Sequence, residues 1–178
     1  PDDLLCITVY DEKTNEWRET MNLEAKETAT HGADKPTDAK QLAGQYYKEG
    51  YNCAEAILRA FRDALQLNLS DDAIKMAAGF GGGIGHAGCV CGALASSVMI
   101  LGALEGRVSS SESRDAMYKS SEEFHRRFTE KFGATCCRSL NPHPFETKEH
   151  LRNCLKITGN TAGLLADYIS EKQPSAEA

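Results

Sequence analysis

Seven cysteines stand in this 178-residue chain, and four of them, Cys53, Cys91, Cys137 and Cys154, occupy positions suited to sulfur chemistry. Three lie at expected helix starts, in Tyr51-Asn52-Cys53-Ala54-Glu55, Gly88-Cys89-Val90-Cys91-Gly92-Ala93 and Thr135-Cys136-Cys137-Arg138. A helix start carries partial positive charge and unpaired N–H groups, which favour the thiolate. The thiolate is the form that binds metal or attacks a disulfide. The fourth, Cys154, recurs with Leu151, Leu155, Thr158, Ala162, Leu165 and Ile169 at helical spacing, so it is expected to face inward. Cys89 and Cys136 adjoin two of the candidates; one of each pair is expected to point at the site and the other away. Cys136-Cys137 could close a vicinal disulfide only as a strained ring. Cys6 is read as a strand residue with no role.

No C-x-x-C occurs, which disfavours rubredoxin-like, zinc-ribbon and thioredoxin-like sites; without C-x-x-C-H there is no covalent haem attachment. Gly83-x-Gly85-x-x-Gly88 spells a dinucleotide-binding loop, but that motif needs a strand before it inside a βαβ unit, and a helix is expected there. A better reading is that small residues let the backbone crowd against Cys91 and donate N–H groups to sulfur. His86, in the same loop, is a candidate ligand, proton carrier or donor to sulfur, against the plainer reading of a solvent-facing loop histidine. His125 is expected to face water. No Ser-His-Asp signature, carboxylate pair or P-loop appears.

Positioning these groups requires an all-α domain. Thr37 to Lys48 reads as a first helix ended by Gly50. Asn52 with Glu55 forms a capping box for the next, whose buried stripe is Cys53, Ala56, Ile57, Ala60, Phe61 and Ala64. Ser70-Asp71-Asp72 starts a third helix ending near Gly79. Six glycines in Gly79–Gly88 then make a loop of unusual dihedrals. Cys91 to Leu104, apolar nearly all round, is the central buried helix. A long helix is expected from Ser109-Ser110-Ser111-Glu112 to Phe132, closed by Gly133; a short one capped by Thr135; and a last one from Thr147. Residues 1–36 are an extension, with a candidate β-hairpin (Leu5–Tyr10 and Glu16–Thr20) and a polar linker; 37–172 form the cysteine-site domain, a compact multi-helix bundle; 173–178 are expected to be a disordered tail.

A net charge of −6 argues against nucleic acid and against an anionic membrane surface. No apolar run reaches the roughly 18 residues that span a bilayer. The chain begins at Pro1 without a methionine, so a trimmed terminus is expected. The odd cysteine count fits a reducing compartment, hence a cytoplasmic protein, or a periplasmic one if a signal peptide was removed.

The combined strings Tyr51-Asn52-Cys53-Ala54-Glu55-Ala56, Gly79-Phe80-Gly81-Gly82-Gly83-Ile84-Gly85, Cys91-Gly92-Ala93, Phe132-Gly133, Cys137-Arg138-Ser139-Leu140 and Cys154 resemble the redox-active proteins named for a C–GCAxxG–C–C cysteine pattern. The same module resembles the iron–sulfur part of split-Soret cytochrome c. The likeness runs from about residue 40 to 170. It implies an all-helical redox domain of anaerobes, with Cys53, Cys91, Cys137 and Cys154 as the family cysteines. Ser96 stands where the family usually has glycine, Cys89 and Cys136 are additional, and the cytochrome's haem motifs are absent, so an electron partner would be another protein. The expected function is electron transfer through a cluster held by the four thiolates, [2Fe–2S] favoured over [4Fe–4S]. The alternatives are a metal-free thiol–disulfide oxidoreductase using Cys137 with Cys53, Cys91 or Cys154, or a structural zinc site with four cysteine ligands in an interaction module; for any metal site Cys89, Cys136 and His86 are substitute ligands or neighbours of the ligands. A redox subunit is favoured over a stand-alone enzyme, and a homodimer is expected.

Overall fold

The computed structural model describes residues 6–11, 16–21 and 39–172. The chain divides into two units, residues 1–32 and 33–178. In the first, β1 (Cys6–Asp11) and β2 (Glu16–Met21) form an antiparallel hairpin with Val9 opposite Arg18. The expected linker and tail lie outside the described residues. The second unit is all-α. Its helices are α1 (Ala39–Lys48), α2 (Cys53–Ala64), α3 (Asp71–Ala77), α4 (Gly81–Ile84), α5 (Gly92–Glu105), α6 (Asp115–Phe132), α7 (Cys137–Leu140) and α8 (Lys148–Lys172), with a 3-10 turn joining α3 to α4.

Helix α2 starts where its cap demands. The Asn52 side chain accepts from the Ala54 and Glu55 N–H groups, and Glu55 accepts from the Asn52 N–H at 3.0 Å. Its apolar stripe, Cys53, Ala56, Ile57, Ala60 and Phe61, is buried against α1, α5 and α8. Helix α5 is the central one: Ala93, Leu94, Ile100 and Leu101 are buried, and Ser97 donates to the Ala93 carbonyl at 2.7 Å. Ser96 is fully buried and its hydroxyl has no hydrogen-bond partner among the described residues.

The glycine segment is a left-handed turn. Gly82, Gly83, Ile84, Gly85 and His86 have φ of 62, 68, 65, 56 and 67° in succession. Left-handed backbone costs a residue with a Cβ about 1–2 kcal/mol, so the three glycines make the run tolerable and Ile84 and His86 carry the strain.

Three expectations need correction. Helix α6 begins at Asp115, not at Ser109. Arg107 donates to the carbonyls of Ser110 (3.1 Å) and Glu112 (2.7 Å), and Ser109 and Ser111 bond each other, so local polar bonds hold 109–112 in a turn. The residue capping α7 is Cys136 rather than Thr135, whose carbonyl instead accepts from the Cys91 N–H at 2.8 Å. Leu151, expected on the inward stripe of α8, is 47% exposed and lines a cavity.

Candidate functional site

Four separate elements carry the four cysteines. Cys53 is the first residue of α2, Cys91 precedes α5, Cys137 begins α7, and Cys154 lies in the second turn of α8. Cys53, Cys91 and Cys137 are buried and Cys154 is partly buried; none of the cysteines from Cys53 onward forms a disulfide. A backbone clasp fixes two of them. Val90 and Cys136 pair as an antiparallel bridge, the Cys137 N–H donates to the Cys89 carbonyl at 2.5 Å, and the Arg138 N–H donates to the Gly88 carbonyl at 3.1 Å. Arg138 Nη2 adds a bond to the Ala87 carbonyl at 2.7 Å.

Two glycines make room for sulfur. A Cβ on Gly83 would sit 2.6 Å from the Cys137 Cβ and 2.7 Å from the Cys89 nitrogen. A Cβ on Gly92 would sit 2.8 Å from the Cys53 sulfur and 2.7 Å from the Phe80 carbonyl oxygen. The close backbone approach expected of the glycine segment is thus directed at Cys137, while Gly92 admits Cys53.

The electrostatics reverse one expectation. The helix-start cysteines are not the acidic ones. Contact with Cys154, then burial, pushes the Cys53 thiol well up, although the Gly82 N–H opposes this. Burial raises Cys91 to about 11 against the Ala93 and Leu94 N–H groups, and burial also raises Cys137. Desolvation here outweighs the helix-start charge. Cys154, which heads no helix, is lowered to about 7, first by Cys53 and then, against burial, by the Tyr47 hydroxyl. Burial and the neighbouring Cys154 in turn raise Tyr47. Cys91 and Cys137 both feel the charge of Cys154, and Cys53 feels that of Cys91, so the four thiols share one electrostatic neighbourhood.

Cys89 and Cys136 are exposed. Cys6 lies in β1. His86 is exposed on the left-handed turn, where its ring covers Gly82 and stacks on Phe145 with centroids 4.4 Å apart. His125 is exposed. Sequence reasoning missed Tyr47, for which spacing gives no signal, and His150. His150 is buried one turn before Cys154, donates from Nδ1 to the His143 carbonyl at 3.1 Å, and packs on Phe145; its spacing of four from Cys154 was the available sign.

The donor set suits iron and zinc alike, and N–H groups of Gly82, Ala93 and Leu94 aim at Cys53 and Cys91. Among the described residues, however, no three Cys, His, Asp or Glu side chains are gathered closely enough to hold a single metal ion. A cavity of about 760 Å³ opens beside Cys53 and Cys154. Among the described residues no helix is long and apolar enough to cross a membrane.

No solved structure matches the chain. A curated protein of Archaeoglobus fulgidus, named only as uncharacterized, is 27% identical over 144 residues, covering 76% of this chain and 95% of that protein. The family described as "Putative redox-active protein (C_GCAxxG_C_C)" matches residues 51–168, and this chain belongs to that family.

Proposed function

We propose that the helical unit is an electron-transfer module in which Cys53, Cys91, Cys137 and Cys154 hold an iron–sulfur cluster, with [2Fe–2S] favoured. What supports this is that Cys154 of α8 acts on the thiols of Cys53, Cys91 and Cys137, all three buried, which are carried by α2, the start of α5 and α7. A cluster spreads its protein ligands over more than one iron, so it does not need the single-centre spacing that zinc requires. When bound, the cluster would supply one-electron exchange at a potential set by its surroundings. The chain's part is to exclude water around Cys53 and Cys91 and to direct N–H groups of Gly82, Ala93 and Leu94 at their sulfurs, which stabilises the thiolate ligands. Anaerobic purification followed by iron, inorganic sulfide and EPR measurement tests this. A fully folded, colourless protein free of iron and sulfide would overturn it.

A second reading is favoured by the pairing of Cys154, lowered to about 7, with the protonated Cys53 beside it. That is the arrangement of an attacking thiolate and its resolving thiol in disulfide exchange. In this reading the Cys154 thiolate attacks one sulfur of a substrate disulfide and expels the other as a thiolate; that thiolate takes the Cys53 proton, and Cys53 then attacks the Cys154 sulfur of the mixed disulfide, expelling the second substrate thiolate and leaving a Cys53–Cys154 disulfide. In both readings the electrons go to or come from a partner protein or a small carrier.

A further inference from the structure

The cavity beside Cys53 and Cys154 is larger than sulfur chemistry alone requires. At about 760 Å³ it lies within the range of about 300–1,000 Å³ typical of organic-ligand sites. Aromatic and basic side chains both line it. Tyr51, His86 and Phe145 are among them, and His86 and Phe145 lie nearly parallel, 18° apart, as a stacked pair. The guanidinium of Arg59 stacks on the Tyr51 ring at 4.0 Å and holds it in place. Lys48 and Arg152 also line the cavity, both exposed, and neither is paired with a carboxylate among the described residues. Glu146 is the one acidic residue on the wall. Lys40 and Lys156 continue the basic character along the adjoining groove between α1 and α8, which shares Lys48 and Leu155 with the cavity. In a chain of net charge −6, Lys48 and Arg152 against Glu146 leave the cavity wall with a small local excess of positive charge, which favours an anion. His86 itself belongs to the strained left-handed run Gly82–His86.

We propose that this cavity binds a planar heteroaromatic electron carrier with a phosphate tail, of the flavin mononucleotide type. The ring lies against Tyr51 and the His86–Phe145 stack beside the Cys53–Cys154 pair, and the phosphate meets Lys48 and Arg152. The site owes nothing to the βαβ geometry of dinucleotide folds; here side chains, not a helix start, receive the phosphate. The proposal rests on the redox reading for its choice of ligand class and deepens it by naming the small molecule that would meet the thiols.

The test is titration of the full chain with flavin mononucleotide, riboflavin and inorganic phosphate, followed by flavin fluorescence and calorimetry. Flavin mononucleotide should bind with quenched fluorescence, and riboflavin about tenfold more weakly for want of the charge-assisted contacts. Lys48→Ala with Arg152→Ala should remove that difference and leave riboflavin binding unchanged. Leu151→Trp, at an exposed position on the cavity wall, should abolish both, whereas Lys75→Ala on α3 should change neither. No binding at millimolar flavin mononucleotide, or binding that Leu151→Trp leaves intact, would overturn the site. Equal affinity for riboflavin, unaffected by the double substitution, would overturn the anionic tail. Binding is read without electron transfer, so its failure is distinct from an iron-free result, and an iron-free protein that binds flavin separates the two in the other direction.

Discussion

Replacing Gly92 by alanine sets two effects of opposite sign against each other. Glycine in a helix interior costs about 0.5–1 kcal/mol relative to alanine, and Gly92 is the first residue of α5, so the substitution gains at most that much from the backbone. The new methyl, however, would lie 2.7 Å from the Phe80 carbonyl oxygen, 3.2 Å from the Phe80 carbonyl carbon and 2.8 Å from the Cys53 sulfur. Each gap is well short of van der Waals separation, and the Phe80 backbone is not the far end of a flexible side chain. Overpacking of this kind costs about 1–3 kcal/mol. The sum is a net loss of up to about 2.5 kcal/mol, or a fall of up to several degrees in Tm for a domain near 150 residues. Gly102, ten residues along the same helix, is the internal comparison: its added methyl meets only Met117 Cε at 3.6 Å, an ordinary contact. Gly102→Ala should therefore raise Tm by about 2 °C, because only the backbone gain remains. Thermal and urea unfolding followed by far-UV circular dichroism measures both. The two variants should also differ in thiol chemistry, since displacing Cys53 removes the first cause of the low Cys154 pKa. If Gly92→Ala matches Gly102→Ala in stability and leaves Cys154 as acidic as before, crowding at Gly92 is refuted.

Two further outcomes are expected. In reduced, metal-free protein the rate of iodoacetamide labelling at Cys154 should climb as pH rises through about 7, where its thiolate forms, and then level off, while Cys91 stays protonated until near 11. Mass spectrometry of the labelled peptides reads each site, and a Cys154 rate flat across that midpoint contradicts the contact with Cys53. Ser96→Ala deletes a fully buried hydroxyl with no partner and should stabilise the fold by about 1 kcal/mol, seen as a higher urea midpoint; a lower midpoint would mean the hydroxyl is satisfied.

What the sequence made legible was local. Asn52 and Glu55 lie within one turn of each other, so the start of α2 could be read from spacing, as could the inward stripe of α2 and the stop at Gly133. The start of α6 could not, because Arg107 reaches forward to carbonyls that a capping rule treats as helical. The choice between Cys89 and Cys91, or between Cys136 and Cys137, depends on the Val90–Cys136 pairing of segments far apart in the chain, which no local pattern encodes. The acidity of the thiols was misjudged for a related reason. Helix starts were visible, but the depth of burial that overrides them, and the approach of Cys53 and Tyr47 to Cys154, are products of helix packing. Leu151 fits the helical period of α8 yet faces a cavity, because periodicity gives direction and not what lies there.

The clasp between Gly88–Cys91 and Thr135–Arg138 has an architectural consequence. It ties together both ends of the stretch that contains α5, the 107–114 turn and α6. Lengthening or shortening the chain at the solvent-covered Val108 would enlarge or shrink an outward strap without changing the separation of the two sulfurs anchored at its base. Insertions there should be as harmless to the thiol pocket as a longer handle is to the hinge it swings from.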